Sequence, residues 1–200
     1  MKYVAEFVKY FNTPKFPVFT KADAYLFLEQ LGATEGYTKR FLGNLAKGGR
    51  IRRVKRNYYT CHSNPYVVGF AFSPFYYGLS TALGMYGISE QQSQPVVITA
   101  TTAIPRTLIF NGKKVFIRRI DEKMFFGVST AMVDLFEVPV SDVEKTLIDM
   151  VYFRYKTEDY AYERLVKMCD SRRLDRYSRS YAQKFRKSVA KLVTKYKTTA

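Results

Sequence analysis

From Ser63 to Ser89 the chain runs for 27 residues without a charged side chain. A stretch that long has two destinations, a bilayer or the interior of a folded domain. The segment YVVGFAFSPFYYGLSTALGMYGI is split by Pro74, and Gly69, Gly78, Gly84 and Gly87, with several hydroxyls, dilute its hydrophobicity. This favours the interior: a buried strand or turn, then a core helix from about Pro74 to Tyr86. The chain of 200 residues, 47% of them hydrophobic, has material for one large core or two small ones.

Charge is distributed around that core unevenly. Residues 1–64 hold 12 basic and 4 acidic side chains, residues 65–155 hold 8 of each, and residues 156–200 hold 13 basic and 5 acidic. A neutral centre between two basic ends implies a polyanionic partner, nucleic acid ahead of an anionic membrane surface or an acidic protein. Two cysteines, Cys61 and Cys169, and one histidine, His62, provide no Cys/His metal spacing, so no metal or other cofactor is expected. The thiols read as reduced and idle. The start, MKYVAEFVKYFN, carries Lys9 within its apolar pattern and no small-residue cleavage site, so the expected location is cytoplasmic, with no membrane anchoring.

The first 64 residues have a recognisable grammar. Val4, Phe7, Val8 and Phe11 form the stripe of a short helix that Pro14 and Pro17 end. Thr20 and Asp23 open a second helix with the stripe Ala24, Phe27, Leu28 and Leu31, closed by Gly32. Thr34 caps a third, with Tyr37, Phe41, Leu42 and Leu45 inward and Gly48-Gly49 as its stop. RIRRV and NYYT then read as two strands around a tight turn at Lys55-Arg56-Asn57. Three helices and a hairpin in this order predict a winged helix-turn-helix over residues 1–64, whose third helix enters the major groove while the hairpin follows the backbone. The third helix would present Gly36, Lys39, Arg40, Gly43, Asn44 and Lys47. Arg40 suits bidentate contact with guanine, Asn44 suits adenine, the lysines suit phosphates, and the glycines permit close approach. The hairpin and its entry add Arg50, Arg52, Arg53, Lys55 and Arg56, with Arg53 turned away from Arg52 by strand alternation.

Residues 65–157 read as a mixed α+β domain. PVVITAT suits a buried strand, and TLIFNGKKVFIRRI a hairpin with a type I′ corner at Asn111-Gly112. DLFEVPV leads into the helix of SDVEKTLIDMVYF, where Ser141 and Glu144 have capping-box spacing. Residues 158–200 read as a basic helical extension. There Tyr181, Phe185, Val189, Leu192, Val193 and Tyr196 share one face, and Lys184, Lys187, Lys191 and Lys195 line another. The lysine face is either a second phosphate-contacting surface or the wet side of a docked helix, and on that second ground an amphipathic membrane-surface binder is a further alternative.

An enzyme is not expected. Asp121, Glu122, Asp134 and Glu137 are the carboxylates a metal-dependent nuclease would need, but no motif fixes them together, and Asp121-Glu122 reads as a loop. Asp142, Glu144 and Asp149 read as helix-start charges and surface.

The winged unit through GGRIRRVKRNYYT, GLSTALGMYGI with its STAL core, VVITATT followed by IPRTLIFNGKKVFIRRI, FFGV at Phe125 to Val128, and VPVSDVEKTLIDMV occur in an order that resembles the AbiEi-type antitoxins, regulators of type IV toxin–antitoxin systems. The resemblance spans most of residues 15–155. It implies a repressor whose N-terminal winged helix binds inverted repeats in its own promoter. It also implies a C-terminal domain needed for antitoxin activity, and a nucleotidyltransferase-type toxin opposed without a stable complex. The basic tail, residues 158–197, has no counterpart in that pattern. The alternative is therefore a stand-alone regulator or architectural DNA binder without a toxin.

Overall fold

The computed structural model describes residues 2–89, 94–101 and 105–197. Thr102 and Ile104 of the motifs above lie outside them. The fold is mixed α+β, in two compact units. One comprises Met1–Ser73 with the short segments Ile109–Lys113 and Asp134–Phe136; the other comprises Pro74–Leu108, Lys114–Val133 and Glu137–Ala200. The first unit thus continues to Ser73, nine residues beyond the expected boundary at 64, and residues 158–200 belong to the second unit.

The first unit contains α1 (Val4–Phe11), β1 (Phe19–Thr20), α2 (Lys21–Glu29), α3 (Glu35–Lys47), β2 (Arg52–Lys55) and β3 (Tyr58–Thr60), then a 3-10 helix over Pro65–Phe72. Its core is aromatic. Phe7, Phe11, Phe19 and Phe41 are essentially inaccessible, and Phe7 meets Phe11, Phe19 and Phe41 at ring distances of 4.6, 5.5 and 5.1 Å. Thr20 caps α2 through a reciprocal box with Asp23. Leu31 lies past the end of α2 and is exposed, so the inward stripe of that helix is Ala24 and Leu28 with Phe27 half-buried.

A six-stranded sheet of order β6-β7-β5-β4-β9-β8, which belongs to the second unit apart from Ile109, Phe110, Lys113 and Phe136, is built from β4 (Phe75–Tyr77), β5 (Val96–Thr99), β6 (Thr107–Phe110), β7 (Lys113–Arg119), β8 (Val128–Val133) and β9 (Phe136–Ser141). The helices α4 (Ser80–Met85), α5 (Val143–Tyr152), α6 (Asp159–Met168), α7 (Ser171–Ser178) and α8 (Gln183–Lys197) accompany it. The helix expected from Pro74 starts only at Ser80. The buried run Phe75-Tyr76-Tyr77 is a central strand instead, antiparallel to β5 and parallel to β9. Two features separate strand from helix. A Cβ on Gly78 would lie 2.6 Å from Ile98 Cδ1, and Leu79 has φ +55°. Asn111 and Gly112 both have positive φ, as a type I′ corner requires.

The expected capping box at Ser141 moves by one residue. Asp142 caps α5 by accepting from Lys145 N at 2.8 Å, while Ser141 Oγ meets Thr146 Oγ1 at 2.7 Å inside the core. Glu144 and Asp149 are not surface groups either: both are buried, at 2% and 0% exposure. Lys145 Nζ, also at 0%, donates to Asp149 Oδ1 and to Tyr181 Oη at 3.2 Å. Tyr76 Oη donates to Asp149 Oδ2 at 2.8 Å. Burial lowers the Lys145 pKa and raises that of Asp149, against their mutual attraction. Glu144 accepts from Asp170 N at 2.7 Å and lies 3.5 Å from Arg173, and Tyr177 Oη donates to Asp142 at 2.8 Å. The C-terminal helices are therefore pinned to α5 by a polar network as well as by their apolar faces.

Candidate nucleic-acid interface

The thirteen residues of α3 follow the N-cap Thr34, whose Oγ1 accepts from Tyr37 N at 3.3 Å. Its inner face is Thr38, Phe41, Leu42 and Leu45, all buried, with Tyr37 half-buried beside them. The helical period then turns Gly36, Lys39, Arg40, Gly43, Asn44 and Lys47 outward, and all six are exposed. A Cβ at Gly36 or Gly43 would meet nothing within 4 Å. Neither glycine is required by packing among the described residues, although glycine in a helix interior costs about 1 kcal/mol relative to alanine.

Arg50 is exposed in the link from α3 to β2, with its N–H on Leu45 O at 3.0 Å. The strands β2 and β3 pair antiparallel, Arg52 opposite Thr60 and Arg53 opposite Tyr59, with an irregularity before Lys55. The corner is Arg56-Asn57, Asn57 having φ +64°. On the far side of β3, β1 completes a three-stranded sheet, and Lys21 N donates to Asn57 O at 2.9 Å. Arg53 and Arg56 are exposed and Arg52 is half-buried. Lys55 lies over the rings of Tyr58 and Phe72, 4.3 and 4.4 Å from their centroids, and burial lowers its pKa. Its ammonium is thereby tied to the protein. Glu35, the acid of α3, is engaged by Lys21 at 3.0 Å. Among the described residues, Lys39, Arg40, Lys47, Arg53 and Arg56 form no ion pair.

In the second unit, Lys184, Lys187 and Lys191 are exposed along α8, whose other face buries Val189 and Tyr196. Lys195 differs: it lies 3.6 Å from Asp159 and donates to Tyr196 Oη at 2.8 Å. The structure adds cations the lysine stripe omitted, since Arg172, Arg176 and Arg186 are exposed and form no ion pair among the described residues. The period of α7, with Leu174 and Ser178 buried, is the signal that places Arg172 and Arg176 outward. No group of three or more His, Cys, Asp or Glu side chains capable of holding a metal occurs among the described residues, so Asp121, Glu122, Asp134 and Glu137 do not assemble. Burial raises both thiols, Cys61 to about 11 and Cys169 to about 12.

No family model matches the chain, and no curated protein matches it. Among solved structures, the crystal structure of the RV2827C protein from Mycobacterium tuberculosis superposes with a TM-score of 0.62 at 15% identity, covering 88% of this chain and 71% of that one. The likeness shows the fold. No described helix is long and apolar enough to cross a membrane.

Proposed function

We propose that the chain is a sequence-specific DNA-binding transcriptional regulator whose N-terminal unit acts as a winged helix-turn-helix. The observation that carries this reading is the outward face of α3, where Lys39, Arg40, Asn44 and Lys47 surround two glycines at which an added Cβ would meet nothing within 4 Å. Glycine at such positions lets a helix backbone come close to a duplex, while Arg40 and Asn44 have the donor geometry for base edges. Arg53 and Arg56 at the hairpin tip supply phosphate contacts, which position without specifying. Lys55, held by two rings, contributes less than its sequence position suggests. Lys184, Lys187 and Lys191 add backbone contacts from the second unit.

The resemblance to AbiEi-type antitoxins directs the regulator to inverted repeats in its own promoter and to opposition of a nucleotidyltransferase-type toxin. The pinned basic tail, which has no counterpart in that pattern, favours a stand-alone regulator as the second reading. Footprinting of the purified protein on its own upstream region tests DNA recognition. A protected repeat, absent with Arg40→Ala, is the expected result, and uniform protection at all concentrations overturns sequence specificity. Relief of growth arrest caused by a neighbouring nucleotidyltransferase-like gene separates the two regulator readings.

A further inference from the structure

A strand at the edge of a sheet offers unpaired N–H and C=O groups to another strand, and proteins guard such edges with lysine, proline, bulges or brevity. Among the described strands, three sheet edges are guarded. In the first unit β1 has two residues, and β2 carries Arg52, Arg53 and Lys55. In the six-stranded sheet β6 has four residues, follows Arg106 and is joined by a tight turn to Lys113 and Lys114. The remaining edge, β8, is unguarded: VSTAMV is six residues long, without charge, proline or glycine. It is not covered, with Val128 at 40% exposure, Met132 at 68%, and Ser129 and Thr130 exposed.

We infer that β8 is a self-association edge, pairing antiparallel with β8 of a second copy across a two-fold axis. Charge selects that occupant. A chain of net charge +16 repels its own copy wherever its cations are displayed, yet residues 124–144, which contain β8, hold no lysine or arginine. The pleat selects the register. Residues directly opposite in an antiparallel pair point to the same face, so a two-fold must pass through a residue rather than between two. Centred on Thr130, it sets Thr130 against its own copy and each Val128 against the other copy's Met132, bringing together the two most exposed apolar side chains of the strand. Pairing through one short strand lies at the small end of specific interfaces, below about 1,200 Å² in total, so the association is weak and concentration-dependent. It is independent of the DNA-binding reading and is tested without DNA.

Sedimentation of the full chain from a few to several hundred micromolar should show a rapid monomer–dimer equilibrium. Met132→Lys and Thr130→Pro should abolish it with the melting temperature retained, because an edge strand tolerates both changes. In a Cys61→Ser, Cys169→Ser background, Thr130→Cys should form an intermolecular disulfide on mild oxidation at least tenfold faster than Ala131→Cys. A monomer at every concentration, or a dimer that survives Met132→Lys, overturns the inference. Equal cross-linking at 130 and 131 overturns the register and the paired-strand geometry with it.

Discussion

On the proposed reading Gly43 sets stability and DNA binding against each other, which makes it the most informative single residue on α3. An alanine there meets nothing within 4 Å, so Gly43→Ala should stabilise the first unit by up to about 1 kcal/mol while weakening DNA binding, where the duplex would meet the new methyl group. Thermal melting and anisotropy titration of the same variant check both halves, and stabilisation with unchanged affinity removes α3 from the groove. The buried pair gives a second residue-scale expectation. Asp149→Leu alone leaves the Lys145 ammonium uncompensated and should cost about 3–5 kcal/mol in denaturant unfolding, whereas Lys145→Met with Asp149→Leu should cost less than either single change. His62 supplies a pH dependence. Burial holds its pKa below the ordinary 6.5, against backbone hydrogen bonds at Thr13 and Phe16 that raise it, so the unfolded chain takes up a proton before the folded one does. Stability should therefore decline as pH falls through about 6.5 toward the lower folded value, and His62→Phe should flatten that decline. At this scale the exposed cations of α3 were legible because helical period alone turns them outward. The burial of Glu144 and Asp149 was not, because the groups that meet them, Asp170 and Arg173 at Glu144 and Tyr76 at Asp149, lie far away in sequence and become neighbours only through the fold.

Elements with their own punctuation are legible in the sequence, and elements decided by neighbours are not. The caps Thr20 and Thr34 and the apolar stripes of α1, α3 and α8 are local signals, as is the corner Asn111-Gly112. Phe75-Tyr76-Tyr77 is compatible with helix or strand. What makes it a strand is hydrogen bonding to β5 on one side and β9 on the other, information that resides roughly 20 to 60 residues away. Gly127 shows how such an assembly is closed. With φ +65°, it enters β8 where an added Cβ would lie 2.8 Å from Lys145 Cβ and 2.9 Å from Tyr177 Cε2, so α5 and α7 both rest against it. Gly127→Ala should therefore force those helices apart and add left-handed backbone strain, each effect costing on the order of 1–3 kcal/mol. A melting temperature equal to the unmodified chain's would show that the FFGV segment does not carry this packing.

For the whole molecule the proposed DNA binding is decided by its response to salt, because the cations occur in both units and only phosphate neutralisation would use them all. If six or more phosphates are neutralised, log K should fall against log salt with a slope near −0.9 per phosphate, a loss of about a thousandfold or more between 50 and 200 mM. The contributions should then separate by residue. Arg40→Ala and Asn44→Ala should reduce discrimination between operator and scrambled duplex by about 1–3 kcal/mol, while Arg53→Ala and Arg56→Ala weaken both duplexes alike. The lysine face of α8 decides whether the second unit takes part. Changing Lys184, Lys187 and Lys191 to Gln leaves the buried Val189 and Tyr196 and the Lys195–Asp159 pair in place, so melting should not change. The salt slope should become shallower by about 0.9 for each phosphate that is no longer neutralised, with base preference intact, since backbone contacts carry no sequence information. Combining the α8 and hairpin changes should reduce the slope by the sum of the separate reductions, as expected for independent phosphate contacts. A slope untouched by the α8 changes would assign those lysines to solvation of a docked helix and leave DNA binding to the N-terminal unit alone.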